Sequence, residues 1–177
     1  MPDNIILVGF SGTGKTLVGQ EVARLLGWDF IDTDGEIEGK VGKSVQRIFA
    51  EDGEPAFRVL EKGALSDACS TDHRVISTGG GAPVDQENRE LMLSRGYVVC
   101  LDAMPETIYG RLVVNDSNPL TVRPLLSGPE PLERIKALKS QRREYYSAAH
   151  RAVATDNLTV EQVAEEILRP FRVLGAI

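Results

Sequence analysis

Eight residues near the start of the chain have the spacing of a phosphate-binding loop. Gly9–Thr16 reads Gly-Phe-Ser-Gly-Thr-Gly-Lys-Thr and fits the pattern G-x-x-x-x-G-K-[ST]. Glycines let a backbone wrap closely around phosphate oxygens, so that amide hydrogens and the N-terminus of the next helix face the anion. Lys15 supplies a positive charge for the terminal phosphates of a nucleotide, and the Thr16 hydroxyl is placed to bind Mg²⁺. A glycine turn with a chance lysine explains the complete pattern poorly.

Other nucleotide-binding patterns are incomplete in this sequence. Leu17 and Val84 occupy the third glycine position of the two candidate G-x-G-x-x-G stretches, which argues against a dinucleotide site. Asp32–Gly35 matches the D-x-x-G of GTPases, but it lies only 16 residues after Thr16, and the guanine-reading N-K-x-D is absent. We interpret that match as accidental.

Two carboxylates follow the second apolar run. If the segment is extended, Asp32 and Asp34 point to the same side of it. One carboxylate, Asp32, can complete a Mg²⁺ shell, while Asp34 receives the proton of an attacking hydroxyl. The alternative is a pair of aspartates that cap a following helix, where this residue type is favoured. Beside a phosphate-binding loop, the catalytic interpretation is preferred.

The elements that must position these residues alternate along the chain. Short apolar runs predict the strands Ile5–Val8, Phe30–Asp32, Val75–Ser77, Tyr97–Leu101 and Ala152–Ala154. Longer segments predict the helices Thr16–Leu26 (ended by Gly27), Glu36–Lys40, Val45–Ala50, Pro55–Cys69, Glu87–Ser94, Pro105–Val113, Leu132–Ala149 and Val160–Leu168. Such alternation implies parallel crossover units and a three-layer α/β/α sandwich, with ligands at the carboxyl ends of the strands.

One long segment, Val114–Pro131, has neither a helical nor a strand period. It is rich in polar residues, proline and glycine. Loops of this length inside a small domain are usually functional or disordered. We therefore predict a lid that closes over the site of phosphoryl transfer.

Size and charge narrow the class of protein. The 177 residues suffice for one buried domain, predicted to span 1–177 with a core of 1–113 and 132–177. The net charge of −6 disfavours a nucleic-acid partner, because binding a polyanion calls for a basic excess. No apolar run approaches the roughly 20 residues that span a bilayer. Cys69 and Cys100 are interpreted as buried free thiols, and with no signal peptide apparent we expect a cytoplasmic protein.

The chain resembles the shikimate kinases over nearly its whole length. The resemblance rests on the phosphate-binding loop and on Asp32–Asp34, Ile48–Glu54, Phe57-Arg58, Gly79–Gly81, Thr121–Leu126, and Arg142 before Tyr145-Tyr146. It implies a P-loop fold like that of nucleoside monophosphate kinases, with a central five-stranded parallel sheet and a lid. It also implies transfer of the γ-phosphate of ATP to the 3-hydroxyl of shikimate, the fifth step of the chorismate pathway, with Mg²⁺ as cofactor.

The resemblance implies an acceptor site, residue by residue. Its helical part covers about residues 33–62, and its substrate-binding residues are Asp34, Phe57, Arg58, Gly79, Gly80, Gly81 and Arg142. Chemically, two arginines can clamp a carboxylate, and a glycine amide can donate without an obstructing side chain. Glu61, one helical turn from Arg58, is expected to orient it. Phe49 and Phe57 resemble an apolar wall for the carbocycle, although ordinary core packing explains them equally well. For Arg58 and Arg142 the alternative is a solvated helix face.

The nucleotide side is carried over in the same way. The implied ATP-binding residues are Gly12, Thr13, Gly14, Lys15, Thr16, Leu17, Arg111 and Arg123, with Lys15, Asp34 and Arg123 as the catalytic set. Arg111 resembles an arginine that stacks on adenine, opposite the loop Thr155–Leu158, and Arg123 resembles one that neutralises the phosphates. The 11 residues between Arg111 and Arg123 are more than is usual in the family pattern.

Two rival functions remain open at this point. A gluconate-type or other small-molecule kinase shares the phosphate loop and lid, but has no reason to combine Arg58, Gly80 and Arg142 around Asp34. A non-catalytic nucleotide-binding relative is disfavoured by the intact Lys15, Asp34 and Arg123. The expected partners are the small molecules ATP and shikimate, bound by a monomer, with neither nucleic acid nor membrane involved.

Overall fold

The structure, a computed structural model, describes residues 3–114, 126 and 129–173 of the chain. In this part, the strands are β1 (Asn4–Val8), β2 (Asp29–Asp32), β3 (Arg74–Ser77), β4 (Tyr97–Asp102) and β5 (Arg151–Ala154). The helices are α1 (Lys15–Leu26), α2 (Thr33–Val41), α3 (Val45–Glu51), α4 (Gly53–Ala68), α5 (Gln86–Arg95), α6 (Pro105–Val114), α7 (Pro131–Tyr146) and α8 (Val160–Val173). None of the helices so described is long and apolar enough to cross a bilayer.

The five strands form one parallel sheet in the order β2-β3-β1-β4-β5. The first strand, β1, lies at the centre and pairs with β3 and β4. Because all strands run in the same direction, the loops that follow β1, β2 and β3 leave from one edge of the sheet, as ligand sites in such folds require. The predicted α/β/α sandwich with a five-stranded parallel sheet is confirmed.

The apolar run of β1 is continuous because helices cover both faces of the sheet. Ile5 and Leu7 belong to the core that includes residues of α1 and α8. Ile6 and Val8 belong to the opposite core, which draws on α4, α5, α6 and α7. All four side chains are buried, so the strand that leads into the phosphate-binding loop is fixed from both sides.

A third, smaller core lies under helices α2, α3 and α4. It is built from Ile37, Ile48, Phe57 and Ala64. Glycines with positive φ let the chain turn at Gly42 after α2 and at Gly53 at the start of α4. These three helices thus have packing of their own beside the sheet, and they contain the predicted acceptor region.

The start of α2 differs from the sequence prediction. We expect Asp34 in an extended segment, with the helix beginning at Glu36, and this expectation is wrong. Asp32 is the N-cap, and its Oδ1 accepts from the amides of Asp34 at 3.1 Å and Gly35 at 3.4 Å. The helix therefore begins at Thr33, and Asp34 lies in its first turn. The capping interpretation, kept as the alternative, is confirmed for Asp32.

Two helix ends also lie elsewhere than predicted. The helix α7 ends at Tyr146, three residues before the predicted Ala149. The last helix, predicted to end at Leu168, continues past Pro170 to Val173. It continues because Ile167, Leu168 and Phe171 are buried in the core shared with α1, and this packing outweighs the hydrogen bond that proline removes. Gly27 ends α1 at φ 67°, as predicted.

Both cysteines are buried free thiols, as the sequence analysis expects. Burial raises the pKa of Cys69 and of Cys100 to about 11. Neither thiol is therefore ionised near neutral pH, and both contribute to the core as small apolar groups.

Candidate active site

The phosphate-binding loop connects β1 to α1 at the carboxyl edge of the sheet. Gly12 and Gly14 adopt φ values of 81° and 94°, which side chains with a Cβ rarely tolerate. Thr13 holds the turn through its hydroxyl, which donates to the Phe10 carbonyl at 2.8 Å. No acidic residue stands in the first turn of α1, so its amide groups and positive end are available to an anion.

Lys15 lies back across this loop. Its Nζ donates to the carbonyls of Gly9 at 2.8 Å and Phe10 at 3.0 Å, and its side chain is mostly buried. These contacts hold the ammonium group over the mouth of the loop, where the terminal phosphates of a nucleotide bind in such loops. The neighbouring cavity of about 420 Å³ is lined by Lys15, Thr16, Asp32, Asp34 and Gly80, among others.

Thr16 and Asp32 both line that cavity and are hydrogen-bonded to each other. The Thr16 hydroxyl donates to Oδ2 of Asp32 at 2.8 Å, while Oδ1 of Asp32 caps α2. One hydroxyl and one carboxylate suit Mg²⁺, which usually keeps several waters and takes its remaining ligands from phosphate oxygens. No group of three acidic, histidine or cysteine side chains in the described ranges forms a complete metal cage. One hydroxyl and one carboxylate fit a metal that takes its other ligands from water and a bound nucleotide.

A second cavity, of about 230 Å³, lies between this loop and the helices α2–α4. Its charged lining includes Asp34, Arg58, Glu61 and Arg142. The guanidinium of Arg58 bonds Glu61 Oε2 through Nη1 at 2.8 Å and Glu54 Oε1 through Nη2 at 2.8 Å. Burial opposes the shift, but Glu61 and Glu54 together hold the pKa of Arg58 above its ordinary value. The expected contact between Glu61 and Arg58 is confirmed.

The three glycines after β3 allow the charged groups to approach the backbone. A Cβ on Gly79 would stand 2.6 Å from Oε1 of Glu61 and 2.9 Å from Oδ1 of Asp34. A Cβ on Gly81 would stand 2.5 Å from Nη1 of Arg58. Both Cβ positions are too close to these side-chain atoms for a residue other than glycine. Glycine at 79 and 81 therefore lets the charged groups lie directly against the backbone.

Arg142 and Tyr146, one turn apart on α7, both reach this glycine segment. Arg142 Nη1 donates to the Gly80 carbonyl at 3.1 Å, and the Tyr146 hydroxyl donates to the same oxygen at 2.7 Å. Burial raises the pKa of Tyr146 to about 12, so the phenol keeps its proton and remains a donor. The guanidinium of Arg142 also lies 5.7 Å from the ring centroid of Phe10. Arg143, its neighbour in sequence, is exposed.

The two aromatic rings considered for the wall pack against each other and also border the cavity. Phe49 and Phe57 pack together with ring centroids 4.7 Å apart, and Phe57 is buried in the third core. Both rings also line the cavity that contains Asp34 and Arg58. The core-packing interpretation is therefore confirmed for Phe57, and the role of both rings as a wall for a bound ring stays a prediction.

A third cavity, of about 280 Å³, adjoins the other side of the phosphate-binding loop. Arg111 forms one wall and is held by the Thr155 hydroxyl at 2.9 Å and the Thr155 carbonyl at 2.6 Å. Leu17 and Leu158 line the same cavity and are partly exposed to it and to solvent. An arginine plane opposite aliphatic side chains suits a flat, apolar ring.

The sequence analysis names one site residue that cannot be placed. Arg123 and most of the predicted lid, Val114–Pro131, lie outside the described residues. Leu126 is described, is buried, and lines the cavity beside Arg58. All other predicted site residues surround the phosphate-binding loop, in the three cavities and the glycine segment.

Several residues of the site were not predicted as such from sequence. Tyr146 was named only as part of a motif, although its position four residues after Arg142 puts both on one helix face. Glu38 lines the same cavity as Asp34, and its Oε1 accepts from the Val45 amide at 2.8 Å. No sequence signal separates Glu38 from the exposed acidic residues around it.

A family model and two relatives match most of this chain. The family model described as Shikimate kinase matches residues 11–172. The shikimate kinase of Symbiobacterium thermophilum is 44% identical over 173 residues, covering 97% of this chain and 98% of that protein. The shikimate kinase of Deinococcus radiodurans is 42% identical over 164 residues, covering 93% of this chain and 81% of that protein.

Solved structures extend the comparison to three dimensions. Shikimate kinase from Acinetobacter baumannii in complex with shikimate has a TM-score of 0.90 and 36% identity, covering 99% of this chain and 94% of that one. A gluconokinase from Sinorhizobium meliloti has a TM-score of 0.63 at 15% identity, covering 98% of this chain and 93% of that one, so it shares the fold alone. The site geometry, the family match and the full-length relatives lead to one assignment: the chain belongs to the shikimate kinase family of ATP-dependent kinases.

Proposed function

We propose that the chain transfers the γ-phosphate of ATP to the 3-hydroxyl of shikimate, giving shikimate 3-phosphate and ADP. The observation that carries the proposal is the convergence of Asp34, Arg58, Arg142 and the glycine segment on one cavity. This cavity adjoins the phosphate-binding loop, and Ser11 and Gly80 line both it and the phosphate cavity. An acceptor bound there lies beside the terminal phosphate of a nucleotide.

The charges of the cavity fit a small carboxylic acid that carries hydroxyl groups. Arg58 and Arg142 offer planar guanidinium groups that can bond a carboxylate through two nitrogens each. The Asp34 carboxylate carries the opposite charge, so it can accept hydrogen bonds from the hydroxyl groups of the acceptor. Phe49 and Phe57 supply an apolar surface for the carbocycle. Substrate binding in this cavity involves Asp34, Phe57, Arg58, Gly79, Gly80, Gly81 and Arg142 in our proposal.

Phosphoryl transfer then needs one proton acceptor and charge neutralisation. The acceptor oxygen forms a bond to the γ-phosphorus, the bond from that phosphorus to the β,γ-bridging oxygen breaks, and ADP keeps the electron pair. Asp34 takes the proton of the attacking hydroxyl. Lys15 neutralises charge on the transferring group, and Arg123 is proposed to do the same from the lid.

Mg²⁺ is the cofactor in this proposal. When bound, it would supply positive charge that neutralises the charge developing on the transferring phosphoryl group. Thr16 and Asp32 would hold it, because their hydroxyl and carboxylate face the cavity beside Lys15. The adenine ring is assigned to the cavity between Arg111 and Leu158, with Gly12, Thr13, Gly14 and Leu17 between it and the phosphates.

The test is substrate-dependent release of ADP in a coupled assay with Mg²⁺ and ATP. We expect turnover with shikimate and much less with quinate or gluconate, which match the carboxylate but differ in ring substitution or lack the ring. A Lys15→Ala variant, purified in the same way, controls for contaminating kinases. Preferred turnover of gluconate would favour the gluconate-type alternative, and no turnover with any acceptor would favour a non-catalytic relative. A monomeric state and a cytoplasmic location stay predictions.

A further inference from the structure

The Glu61 carboxylate is almost completely buried from solvent. Its side chain is 2% exposed, on the face of α4 that lines the acceptor cavity. Oε2 accepts from Arg58, but Oε1 has no hydrogen-bond partner among the described residues. A buried carboxylate with an unsatisfied oxygen is costly in its charged form. Burial raises the pKa of Glu61, and the Arg58 guanidinium opposes that rise.

The charged groups that face Glu61 come from three helices. Arg58 lies on α4 itself, Asp34 on α2 adds a like charge beside Gly79, and Arg142 on α7 adds a more distant positive charge. Arg58 is the only one of these for which the structure gives a direct ion pair with Glu61, and it shares its charge with Glu54.

Charged residues on the other helices around α4 have partners elsewhere. On α3, Arg47 pairs with Glu51 at 2.9 Å. On α5, Glu87 pairs with Lys62, the α4 residue after Glu61, on the outer surface. These groups do not contribute to the balance at Glu61, so its ionisation is set first by burial and, among the charged groups, mainly by Arg58.

The proposed function places the carboxylate of the acceptor on the same guanidinium. We propose that Glu61 takes up a proton when the anionic acceptor binds, so that acceptor binding and protonation of Glu61 are coupled. The inference rests on the proposed function, because it requires the acceptor carboxylate to bind at Arg58. It adds a role for Glu61 beyond orienting Arg58.

The direction of the effect follows from two changes on binding. The acceptor adds a negative charge near Glu61, and it displaces water from the cavity. Both disfavour the ionised carboxylate, so the pKa of Glu61 is higher in the complex than in the free protein. Between these two pKa values a proton is taken up on binding, and acceptor affinity increases as the pH falls. In the limit of one proton per acceptor, the dissociation constant changes about tenfold per pH unit.

The experiment is calorimetry of shikimate binding to the full chain in buffers that differ in ionisation enthalpy. The dependence of the observed heat on the buffer gives the number of protons taken up. In the wild type we expect proton uptake on shikimate binding at one or more pH values on either side of neutrality. At the same pH values, the dissociation constant for shikimate should decrease as the pH falls.

Two isosteric variants locate the proton. Glu61→Gln keeps the shape of the side chain without a titratable group, and we expect it to lose both the proton uptake and most of the pH dependence. Glu54→Gln is the matched control, because Glu54 is the other carboxylate on Arg58 but is about half exposed. It should take up protons like the wild type.

The outcomes separate this inference from the proposed function. Binding of shikimate without proton uptake in the wild type overturns the coupling and leaves the function standing. Uptake that persists in Glu61→Gln, or that disappears in Glu54→Gln, overturns the assignment to Glu61. Absence of shikimate binding in the wild type overturns the proposed function together with the coupling.

Discussion

Arg58 donates a hydrogen bond of 2.8 Å from Nη1 to Oε2 of Glu61, one turn further along α4. The bond fixes the plane of the guanidinium against Gly81, where a Cβ would collide with it. An arginine held in this way loses little further freedom when it binds a carboxylate. The fixed orientation of the Arg58 guanidinium, as well as its charge, therefore contributes to carboxylate binding in the proposed site.

Replacing either arginine of the acceptor cavity by lysine tests this point. Arg58→Lys and Arg142→Lys keep the charge but lose the planar fork, and each should weaken shikimate binding by about 1.5–3 kcal/mol. Affinity for ATP should change little. Calorimetric titration with each ligand measures both. Arg143→Lys, on the exposed neighbour of Arg142, is the control and should bind shikimate normally. If ATP binding weakens instead, the division of the site into two halves is wrong.

Asp34→Asn should keep ATP binding and lose most turnover. The amide cannot accept the proton of the attacking hydroxyl, and a positioned base contributes about 10²–10⁴-fold to the rate. Steady-state kinetics and nucleotide titration give the two quantities. Glu38→Gln, one turn along α2 and lining the same cavity, controls for loss of charge alone. Near-normal turnover of Asp34→Asn would remove Asp34 from the chemistry.

Gly79→Ala should damage the acceptor side without unfolding the protein. Its Cβ would stand within 3 Å of both Glu61 Oε1 and Asp34 Oδ1, so these carboxylates must move. A displacement of that order can cost about 10²-fold in rate. Gly63→Ala is the matched control, since a Cβ there meets nothing within 4 Å in the middle of α4. This control should keep full activity and gain about 0.4–1 kcal/mol of stability in thermal unfolding. Normal kinetics of Gly79→Ala would contradict the proposed packing.

Asp32→Asn separates the two roles of Asp32. The amide oxygen can still cap α2, so the free energy of unfolding should change by less than about 0.5 kcal/mol. The missing charge should weaken binding of ADP in the presence of Mg²⁺ and leave binding without Mg²⁺ nearly unchanged. Calorimetric titrations with and without the metal measure the difference. Equal losses under both conditions would count against a metal-binding role.

Arg123→Ala tests the lid, and this prediction rests on the sequence because Arg123 lies outside the described residues. An arginine that neutralises the transferring phosphoryl group acts mainly in the transition state, so kcat should fall by about 10³-fold or more. The KM for shikimate should move much less. Steady-state kinetics decide the matter, and an unchanged kcat would show that Arg123 does not reach the phosphates.

The sequence predicts the sheet and the phosphate-binding loop well because both depend on local signals. A continuous apolar run, a glycine pattern and a helix stop at Gly27 are each visible within a few residues. The start of α2 is hard to predict, because Gly35 and the acidic residues around it conceal the first helical turn. The helix begins at Thr33 because the Asp32 side chain caps it. The same sequence, Asp32–Asp34, is also compatible with an extended conformation, and the sequence alone does not decide between the two.

The residues of the acceptor site are harder to predict from motif spacing alone. Gly80 and Arg142 meet across 62 positions of sequence, and only the family pattern selected Arg142 over Arg143. The burial of Glu61 is also invisible locally, since a glutamate on a helix is usually exposed. Such contacts come from the packing of α4 and α7 against the same glycine segment, which no short motif describes.

The two carboxylate oxygens of Asp32 have different partners, which bears on whether binding of one substrate affects binding of the other. One oxygen faces Thr16 on the nucleotide side, and the other holds the helix turn that carries Asp34 on the acceptor side. In the proposed function, a shift of Asp32 toward a metal–nucleotide complex would therefore reach α2 through this cap. By thermodynamic reciprocity, a nucleotide that tightens acceptor binding through this residue is itself bound more tightly by the acceptor-loaded protein. Under that condition, the same gain in affinity would appear whichever substrate binds first.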